Sequence, residues 1–494
     1  MSKLNSEAMR LGANATRRAI LRSGVGLGAV ALADCLWGGA LSASGPSTQV
    51  GGNPHMADLG TLGTGQFSPR AKRVVFIHMV GAMSQVDTFD FKPELIKRHG
   101  EQIPPSVKDN GQRISAMSNG QTFFPLLKPL WPYKRYGQSG TWASDIVRNM
   151  AAISDDLTFI HSMYTPHVNH DPAALFLQTG FQLAGRPSAG AWVHYALGTD
   201  NANLPAYVVL KSQGTNTTTV NPAMWGAGFL PSDYQGVEFR PAAQPVLYVD
   251  SPRGVSRERR REQVDVINEL AREQYDQTGD PEIMAKISQY EMSYRMQQSV
   301  PEVADISGEP EYVLSMYGPR VHKPTFARNA LLTRRLLERG VKFVELIHVG
   351  WDHHRGIFQN HPIDCQAVDQ PVAALVSDLK QRGLLEDTLV IFGGEFGRTA
   401  YGQGDGINDK TGRDHHGACF TFWLAGGGVK AGYHHGQTDE FSYNVVKDPV
   451  SVHDLHATML YLMGIDHKKL VHTYQGRDFR LTDVSGQVVK EVIA

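Results

Sequence analysis

Short apolar runs with the length of buried strands recur along most of the chain. Most of them are followed by glycine or by a group of polar residues, as strands that end at a turn commonly are. The runs lie at residues 73–79, 157–160, 341–348, 389–392 and 418–424.

Amphipathic stretches with helical spacing separate the later runs. Residues 326–339 and 366–382 carry apolar side chains on one helical face, and Gly340 and Gly383 follow them as C-terminal stops. Strands that alternate with helices are typical of the α/β class. The pattern therefore predicts an α/β fold with a mostly parallel central sheet flanked by helices.

The unit made by residues 341–348, 366–382 and 389–392 is a strand, a helix and a strand. Such a crossover makes the two strands parallel and is right-handed in nearly all cases. The residues that follow the two strands, Asp352 and Glu395, should therefore emerge at the same edge of the sheet. Ligands bind at that edge in open α/β sheets.

A charged segment with helical periodicity interrupts this rhythm at about residues 251–300. We interpret it as a helical insertion outside the sheet. The main domain is predicted to span residues 71–494, preceded by a flexible linker at 46–70 that is rich in glycine, serine and threonine.

Residues 1–45 have the features of a twin-arginine signal peptide. Arg17 and Arg18 precede an apolar run at residues 24–41, and small residues follow it. Asp34 interrupts this run, so a stable transmembrane span is not expected. The chain is predicted to be exported to the periplasm or secreted, with the twin-arginine export machinery as a partner.

Composition adds two constraints. The chain of 494 residues has 48 Lys and Arg against 49 Asp and Glu. This balance gives no excess of positive charge that would predict a nucleic-acid partner. Loss of the signal peptide removes Cys35 and leaves Cys365 and Cys419, which permits one disulfide or two buried thiols.

Carboxylates and imidazoles crowd the loops after the later strands. Mixed oxygen and nitrogen ligands favour Zn²⁺ or Mn²⁺, whereas an all-oxygen site would favour Ca²⁺ or Mg²⁺. One ion, a pair of ions, or a polar network without metal all remain open. The candidate ligands are Asp352, His353, His354, Glu395, Asp414, His415 and His416.

Two earlier polar clusters are candidates for catalysis and substrate binding. Ser84 and Asp87 follow the first strand, and His167, Asn169 and His170 lie at a predicted helix start that suits an oxyanion. With Arg398, these residues could form an oxyanion pocket. The catalytic candidates are Glu395, Arg398, His170 and Asn169, and the substrate-binding candidates are Ser84, Asp87 and His167.

The order of these motifs resembles the exported domain-of-unknown-function 1501 (DUF1501) family, which is often labelled sulfatase-like. The motifs are Ser84-Gln-Val-Asp87-Thr-Phe-Asp90, Asn169-His170, Gly350-Trp-Asp352-x-His354, Gly393-Gly-Glu395-Phe-Gly-Arg398-Thr, Asp414-His415 and His453-Asp454-Leu455-His456. That family is similar to the alkaline phosphatase superfamily, whose members share a parallel α/β core with one or two metal ions.

The resemblance implies roles for several residues. Asp352 and His354 would stand for ligands of the first metal, with His415 or His416 as its late histidine. Glu395 would replace an aspartate of the superfamily pattern. Phe396 stands where the second-metal histidine belongs, and no serine or threonine nucleophile is evident.

The resemblance therefore implies a metal-dependent hydrolase of phosphate or sulfate esters that uses one metal and no formylglycine. Its substrate would be a small-molecule or glycan ester. The alternative is a non-catalytic exported protein of the same fold that binds an anionic glycan or a metal.

The signal-peptide hypothesis leads to a direct test. Replacing Arg17 and Arg18 by lysine should leave the precursor in the cytoplasm, because the export machinery reads the arginine pair. Fractionation and immunoblotting measure this, with Arg22→Lys as the control. Normal export of the Arg17→Lys/Arg18→Lys variant would reject the twin-arginine route.

Overall fold

The computed structural model describes residues 66–494 except 110–113, 219, 241–244, 247–250, 252–253 and 405. The predicted signal peptide and residues 46–65 of the predicted linker lie outside this part of the chain. No helix in the described residues is long and apolar enough to cross a membrane.

The strands of the described residues are numbered in chain order. They are β1 (Arg73–Val80), β2 (Tyr133–Tyr136), β3 (Thr141–Ser144), β4 (Leu157–Tyr164), β5 (Tyr207–Gln213), β6 (Val237–Phe239), β7 (Phe343–Val349), β8 (Thr388–Gly393), β9 (Gly397–Gly402), β10 (Arg413–His416), β11 (Phe420–Ala425), β12 (Tyr433–His435), β13 (Gln437–Thr438), β14 (Val445–Lys447), β15 (Val450–Ser451), β16 (His472–Tyr474) and β17 (Arg477–Phe479).

The α-helices are numbered in the same way. They are α1 (Pro93–Lys97), α2 (Pro105–Lys108), α3 (Arg148–Ala152), α4 (His170–Thr179), α5 (Ala189–Leu197), α6 (Arg257–Thr278), α7 (Pro281–Ala304), α8 (Glu311–Tyr317), α9 (Phe326–Glu338), α10 (Ile357–Gln381) and α11 (Val452–Leu462).

One large sheet has the strand order β12-β4-β11-β8-β1-β7-β5-β6, with β15 paired to β4. Only β11 runs antiparallel to its neighbours, and all the other pairs in this sheet are parallel. The predicted mostly parallel α/β fold is therefore confirmed. The crossover from β7 through α10 to β8 is also parallel, with β1 between the two strands.

Strand β1 is the centre of this arrangement. Seven of its eight residues are buried, as expected for a parallel strand covered on both faces. Val74 is in register with Phe343 of β7 on one side and with Leu389 of β8 on the other. The carboxyl ends of β1, β7 and β8 consequently lie side by side at one sheet edge.

Helix α10 begins nine residues before the predicted start at residue 366. Its buried face continues backwards through Ile357, His361, Asp364 and Cys365, which have helical spacing. Two of these residues are polar and Pro362 lies among them, so the sequence concealed the helical face. The helix ends at Gln381, close to the predicted position.

Within the segment predicted as a helical insertion, the structure forms two helices, α6 and α7. Residues 254–294 belong to a compact unit distinct from the one that contains the sheet. Inside this unit, Arg261 and Asn268 of α6 both donate hydrogen bonds of 2.6 Å to Glu291 of α7. Cys365 and Cys419 are both buried free thiols and do not form a disulfide.

Glu345 in β7 is a fully buried carboxyl group next to the core. It accepts a hydrogen bond from the hydroxyl of Tyr207, while its Oε1 atom has no hydrogen-bond partner in the described residues. Burial raises the pKa of Glu345 to about 8, against the opposing effect of the Tyr207 hydrogen bond. Glu345 is therefore protonated in the folded protein at neutral pH.

This buried acid predicts a pH-dependent stability. The unfolded chain loses the proton of Glu345 above about pH 4.3, whereas the folded chain keeps it until about pH 8. Stability should thus fall as pH rises through this interval, by up to about 1.4 kcal/mol per pH unit. The Glu345→Gln variant should lose this slope, measured by denaturant unfolding at several pH values.

A suitable control is Glu386→Gln, which changes an exposed carboxylate and should keep the slope of the parent protein. Parallel pH profiles for the parent and for Glu345→Gln would show that Glu345 has an ordinary pKa in the fold.

Candidate metal centre

Four side chains from distant parts of the sequence converge at the carboxyl edge of the sheet. One ligand atom from each of His170, Asp352, His354 and His415 lies within 4.8 Å of all the others. Oδ1 of Asp352 is at the middle, 3.2 Å from Nε2 of His170, 3.1 Å from Nε2 of His354 and 3.2 Å from Nε2 of His415.

The fold delivers these groups from three directions. Asp352 and His354 lie in the loop after β7, His170 is the first residue of α4, and His415 belongs to β10. The turn after β1 packs directly on the Asp352 loop. A Cβ atom at Gly81, where φ is +104°, would come within 2.6 Å of the Asp352 nitrogen, so only glycine allows this approach.

Each of the three imidazoles is anchored through its Nδ1 atom to a hydrogen-bond acceptor. Nδ1 of His170 lies 2.6 Å from Glu395 Oε1, Nδ1 of His354 lies 2.6 Å from Gln403 Oε1, and Nδ1 of His415 lies 2.6 Å from the Val168 carbonyl. An acceptor at Nδ1 places the proton there and leaves a lone pair on Nε2.

The Nε2 atoms of His354 and His415 are only 2.9 Å apart. With both Nδ1 atoms protonated, two lone pairs face each other across this gap, which is unfavourable unless a cation lies next to them. Nε2 of His170 is also buried without a hydrogen-bond partner in the described residues. Outer acceptors that fix inward-facing imidazoles are the usual support of metal-binding histidines.

The charges at the site also suit a cation. Burial acts against ionisation of Asp352, but the adjacent imidazoles of His170, His354 and His415 and the charge of Arg398 hold the pKa of Asp352 well below its ordinary value. Glu395 is fully buried, and hydrogen bonds from His170 and His78 keep the pKa of Glu395 below its ordinary value.

The histidines respond differently to this environment. Burial and neighbouring positive groups, opposed by the hydrogen bond to Asp352, lower the pKa of His415 to about 4, so it is neutral at pH 7. For His170, burial is outweighed by the adjacent carboxylates of Asp352 and Glu395, which raise its pKa to about 9. A proton and a metal ion compete for the same nitrogen of His170.

Three of the predicted metal ligands, Asp352, His354 and His415, lie in this cluster. His170, which the sequence analysis placed among the catalytic candidates, is the fourth member. Glu395 lies behind it, where it also accepts a hydrogen bond of 2.9 Å from the Gly81 amide and lies 3.2 Å from His78. Glu395 thus orients His170 and does not face the centre.

The other predicted ligands lie around the cluster. Nε2 of His353 is 3.0 Å from Asp364, and Nε2 of His416 is 2.6 Å from the Tyr443 carbonyl. Each adjoins a cluster residue in the chain, and His416 follows His415 within β10, where successive side chains point to opposite sides. Asp414 Oδ1 is 3.6 Å from Nδ1 of His354, on the side away from the centre.

Arg398 is buried and donates a hydrogen bond of 2.8 Å to Asp352 and others to the carbonyls of Ala82, Trp351 and Arg413. It therefore fixes the Asp352 carboxylate and joins the segments around it.

Of the remaining candidates, Ser84 and Asp87 lie away from the cluster, and Asn169 and His167 lie near the start of α4. Ser84 donates to Asp87, and Asp87 forms a fully buried ion pair of 2.7 Å with Arg413, so neither reaches the cluster. Asn169 is the N-cap residue of α4 and keeps an exposed side chain without a capping hydrogen bond. His167 packs edge-on against Phe176 and lines a nearby cavity.

The sequence analysis did not assign Gln403, Val168 or His78 to the site. His78 was a polar residue inside an apolar strand, which is a recognisable signal of a buried polar contact. Gln403 lies in a polar loop, and Val168 contributes only its backbone carbonyl, so neither had a distinguishing signal.

Two cavities lie beside the cluster. The larger, of about 680 Å³, is bordered by Val168, His167, Phe176, Phe181, His453 and Asp483. The smaller, of about 560 Å³, is bordered by His354, Gln403, Gln121, Arg355, Asn408 and Lys410. The smaller cavity therefore has His354, a member of the four-residue cluster, in its wall.

Comparison with known proteins places these observations in a family. The model of the family described as "Protein of unknown function (DUF1501)" matches residues 71–493. No curated protein matches the sequence.

Solved structures similar to the chain include sulfatases and members of the alkaline phosphatase superfamily. The lipoteichoic acid synthase LtaP from Listeria monocytogenes has a TM-score of 0.34 and 9% identity, over 84% of this chain and 76% of that one. The PsFucS1 sulfatase from Pseudoalteromonas sp. has a TM-score of 0.32 and 13% identity, over 80% and 68%. Alkaline phosphatase from the Antarctic bacterium TAB5 has a TM-score of 0.26 and 10% identity, over 74% and 95%.

The geometry predicts that the purified protein contains about one divalent ion per chain. The Asp352→Ala/His415→Ala variant should lose it, because two of four donor groups are removed. Elemental analysis after gel filtration measures the metal content, and circular dichroism checks folding. His322→Ala, which removes an exposed histidine, is the control. Equal metal content in the cluster variant and the parent would exclude this site.

Proposed function

We propose that this chain, which belongs to the DUF1501 family of proteins of unknown function, is an exported metal-dependent hydrolase of phosphate or sulfate esters. The observation that carries the proposal is the arrangement of three anchored imidazoles around the ionised Asp352. Three nitrogen donors and one carboxylate oxygen suit a single transition-metal ion.

The donor set suits Zn²⁺ or Mn²⁺ better than Ca²⁺ or Mg²⁺, which prefer oxygen ligands. His170, Asp352, His354 and His415 would hold the ion. When bound, it would lower the pKa of a water molecule and neutralise charge that develops on the ester oxygens.

Glu395 and Arg398 have different roles in this proposal. Glu395 keeps the proton of His170 on Nδ1, because its carboxylate lies 2.6 Å from that atom. Arg398 holds the Asp352 carboxylate in place and offsets its charge. The hydrogen bonds of Arg398 to the carbonyls of Ala82, Trp351 and Arg413 keep the reacting region rigid.

Part of the predicted oxyanion pocket remains available to a substrate. Asp87 forms an ion pair with Arg413, and Arg398 forms one with Asp352, so neither is free to bind a substrate. The exposed amide of Asn169 lies at the amino terminus of α4, next to His170 in the chain. Helix amino termini attract anions. We assign Asn169, with His167 nearby, to contact with the non-reacting oxygens of the ester.

One observation favours the alternative of a binding protein without catalysis. The buried ring of Phe396 packs at a tilt on one side of the cluster, with its centroid 5.0 Å from that of His170 and 4.6 Å from that of His415. An apolar ring at this point provides no ligand for a second ion. The same fold could then hold a metal or an anionic glycan without hydrolysing it.

Activity and its dependence on the site distinguish the two functions. The metal-loaded protein should hydrolyse at least one of an aryl phosphate, an aryl phosphodiester and an aryl sulfate. Glu395→Gln should lower kcat/KM roughly 10- to 100-fold, because it weakens the orientation of His170. Chelation should abolish turnover, and added Zn²⁺ or Mn²⁺ should restore it.

Glu386→Gln is the matched control, since it makes the same substitution at an exposed position outside the site. If the fully metal-loaded protein turned over none of the three ester classes, the hydrolase proposal would fail and the binding function would take its place.

A further inference from the structure

The cavity of about 560 Å³ beside His354 has two positively charged side chains in its wall, Arg355 and Lys410. We infer that it binds a second anionic group of the substrate, so that the preferred ester is polyanionic, such as a multiply sulfated or phosphorylated sugar. The inference rests on the proposed function for the placement of the reacting ester at the metal centre.

The cavity and the metal centre share a side chain. His354 lines the cavity, and its Nε2 atom lies 3.1 Å from Asp352 and 2.9 Å from His415. Gln403, which accepts the hydrogen bond from His354 Nδ1, lines the cavity as well. A substrate whose ester reaches the metal centre therefore has space for its remaining part next to Arg355.

Backbone hydrogen bonds join the two segments that carry these cations. Residues 353–357 run antiparallel to residues 410–413, with Arg355 paired to Thr411. The Gly356 amide donates to the Lys410 carbonyl at 3.0 Å, and the Arg413 amide donates to the His353 carbonyl at 3.2 Å. Arg355 thus lies in the loop that carries Asp352 and His354, and Lys410 lies in the segment that this loop pairs with just before β10.

The charges of this cavity are not neutralised by the surrounding described residues. Arg355 and Lys410 are exposed, and neither forms an ion pair with a described acidic side chain. The described lining contains no aspartate or glutamate. Both cations could therefore form charge-assisted hydrogen bonds with an oxyanion, and the guanidinium could do so through two nitrogens.

The uncharged part of the lining indicates what carries the anion. The amides of Gln121, Gln403 and Asn408 can both donate and accept hydrogen bonds, as required by sugar hydroxyl groups. The larger cavity near Val168 differs, since it is bordered by Phe176, Phe181 and the acidic Asp483. An anionic sugar should therefore prefer the cavity beside His354.

Calorimetric titration tests this assignment without requiring turnover. The probes are maltotriose, sulfated maltotriose and phosphorylated maltotriose, added to the metal-loaded full-length mature protein. We expect one or both charged probes to bind, and Arg355→Gln/Lys410→Gln to weaken that binding roughly tenfold or more. The two charged probes identify the preferred anion.

The control is Arg320→Gln/Lys468→Gln, which removes the same charges from exposed positions outside the cavity. Its affinity should equal that of the parent protein. The inference is overturned if the parent binds neither charged probe more tightly than maltotriose, if the cavity variant retains parental affinity, or if the control weakens binding equally. Circular dichroism confirms folding, and Arg355→Lys gives a milder second variant.

Hydrolysis of 4-nitrophenyl phosphate and 4-nitrophenyl sulfate separates this inference from the proposed function. These esters lack a second anion, so the cavity variant should hydrolyse them with a kcat close to that of the parent. Anion binding that depends on Arg355 and Lys410, without any turnover, would overturn the hydrolase and leave the anion site. Turnover without anion binding that depends on Arg355 and Lys410 would support the hydrolase and overturn the anion site.

Discussion

The site is organised by a carboxylate that must remain charged in a partly buried position. Asp352 lies among three imidazoles whose Nε2 atoms are 3.1–3.2 Å away, and Arg398 donates to it at 2.8 Å. Metal binding requires all three imidazoles to be neutral, and in that state ionised Asp352 and Glu395 against Arg398 leave one net negative charge. A divalent cation would reverse that imbalance and also separate the inward-facing nitrogen lone pairs.

Arg398 links this charge to the fold. Its guanidinium contacts the turn after β1 through Ala82, the loop after β7 through Trp351, and β10 through Arg413. These segments are far apart in sequence and meet only because β1 lies between β7 and β8 in the sheet. Removing the guanidinium would leave a buried carboxylate and several carbonyl groups without donors, so the loops and the site should be disturbed together.

The sequence predicted the sheet and part of the site because both depend on strand direction. Parallel strands on either side of one crossover place Asp352 and Glu395 at the same edge, whatever the details of packing. Direction alone does not specify which face a residue occupies, so His353 and His416 could not be separated from His354 and His415. The sequence indicated His170 as a catalytic candidate but not as a member of the ligand cluster, since 225 residues separate it from its partner Glu395.

Phe396 explains how the site can be both buried and accessible. Its ring, only 1% exposed, packs against His170 and His415 and excludes solvent from that side of the cluster. Asp352 and His354 are only partly buried, so the remaining open sides adjoin them. A ligand must then approach past the start of α4 or along the cavity beside His354. Phe396 thus limits the directions from which a ligand can reach the cluster.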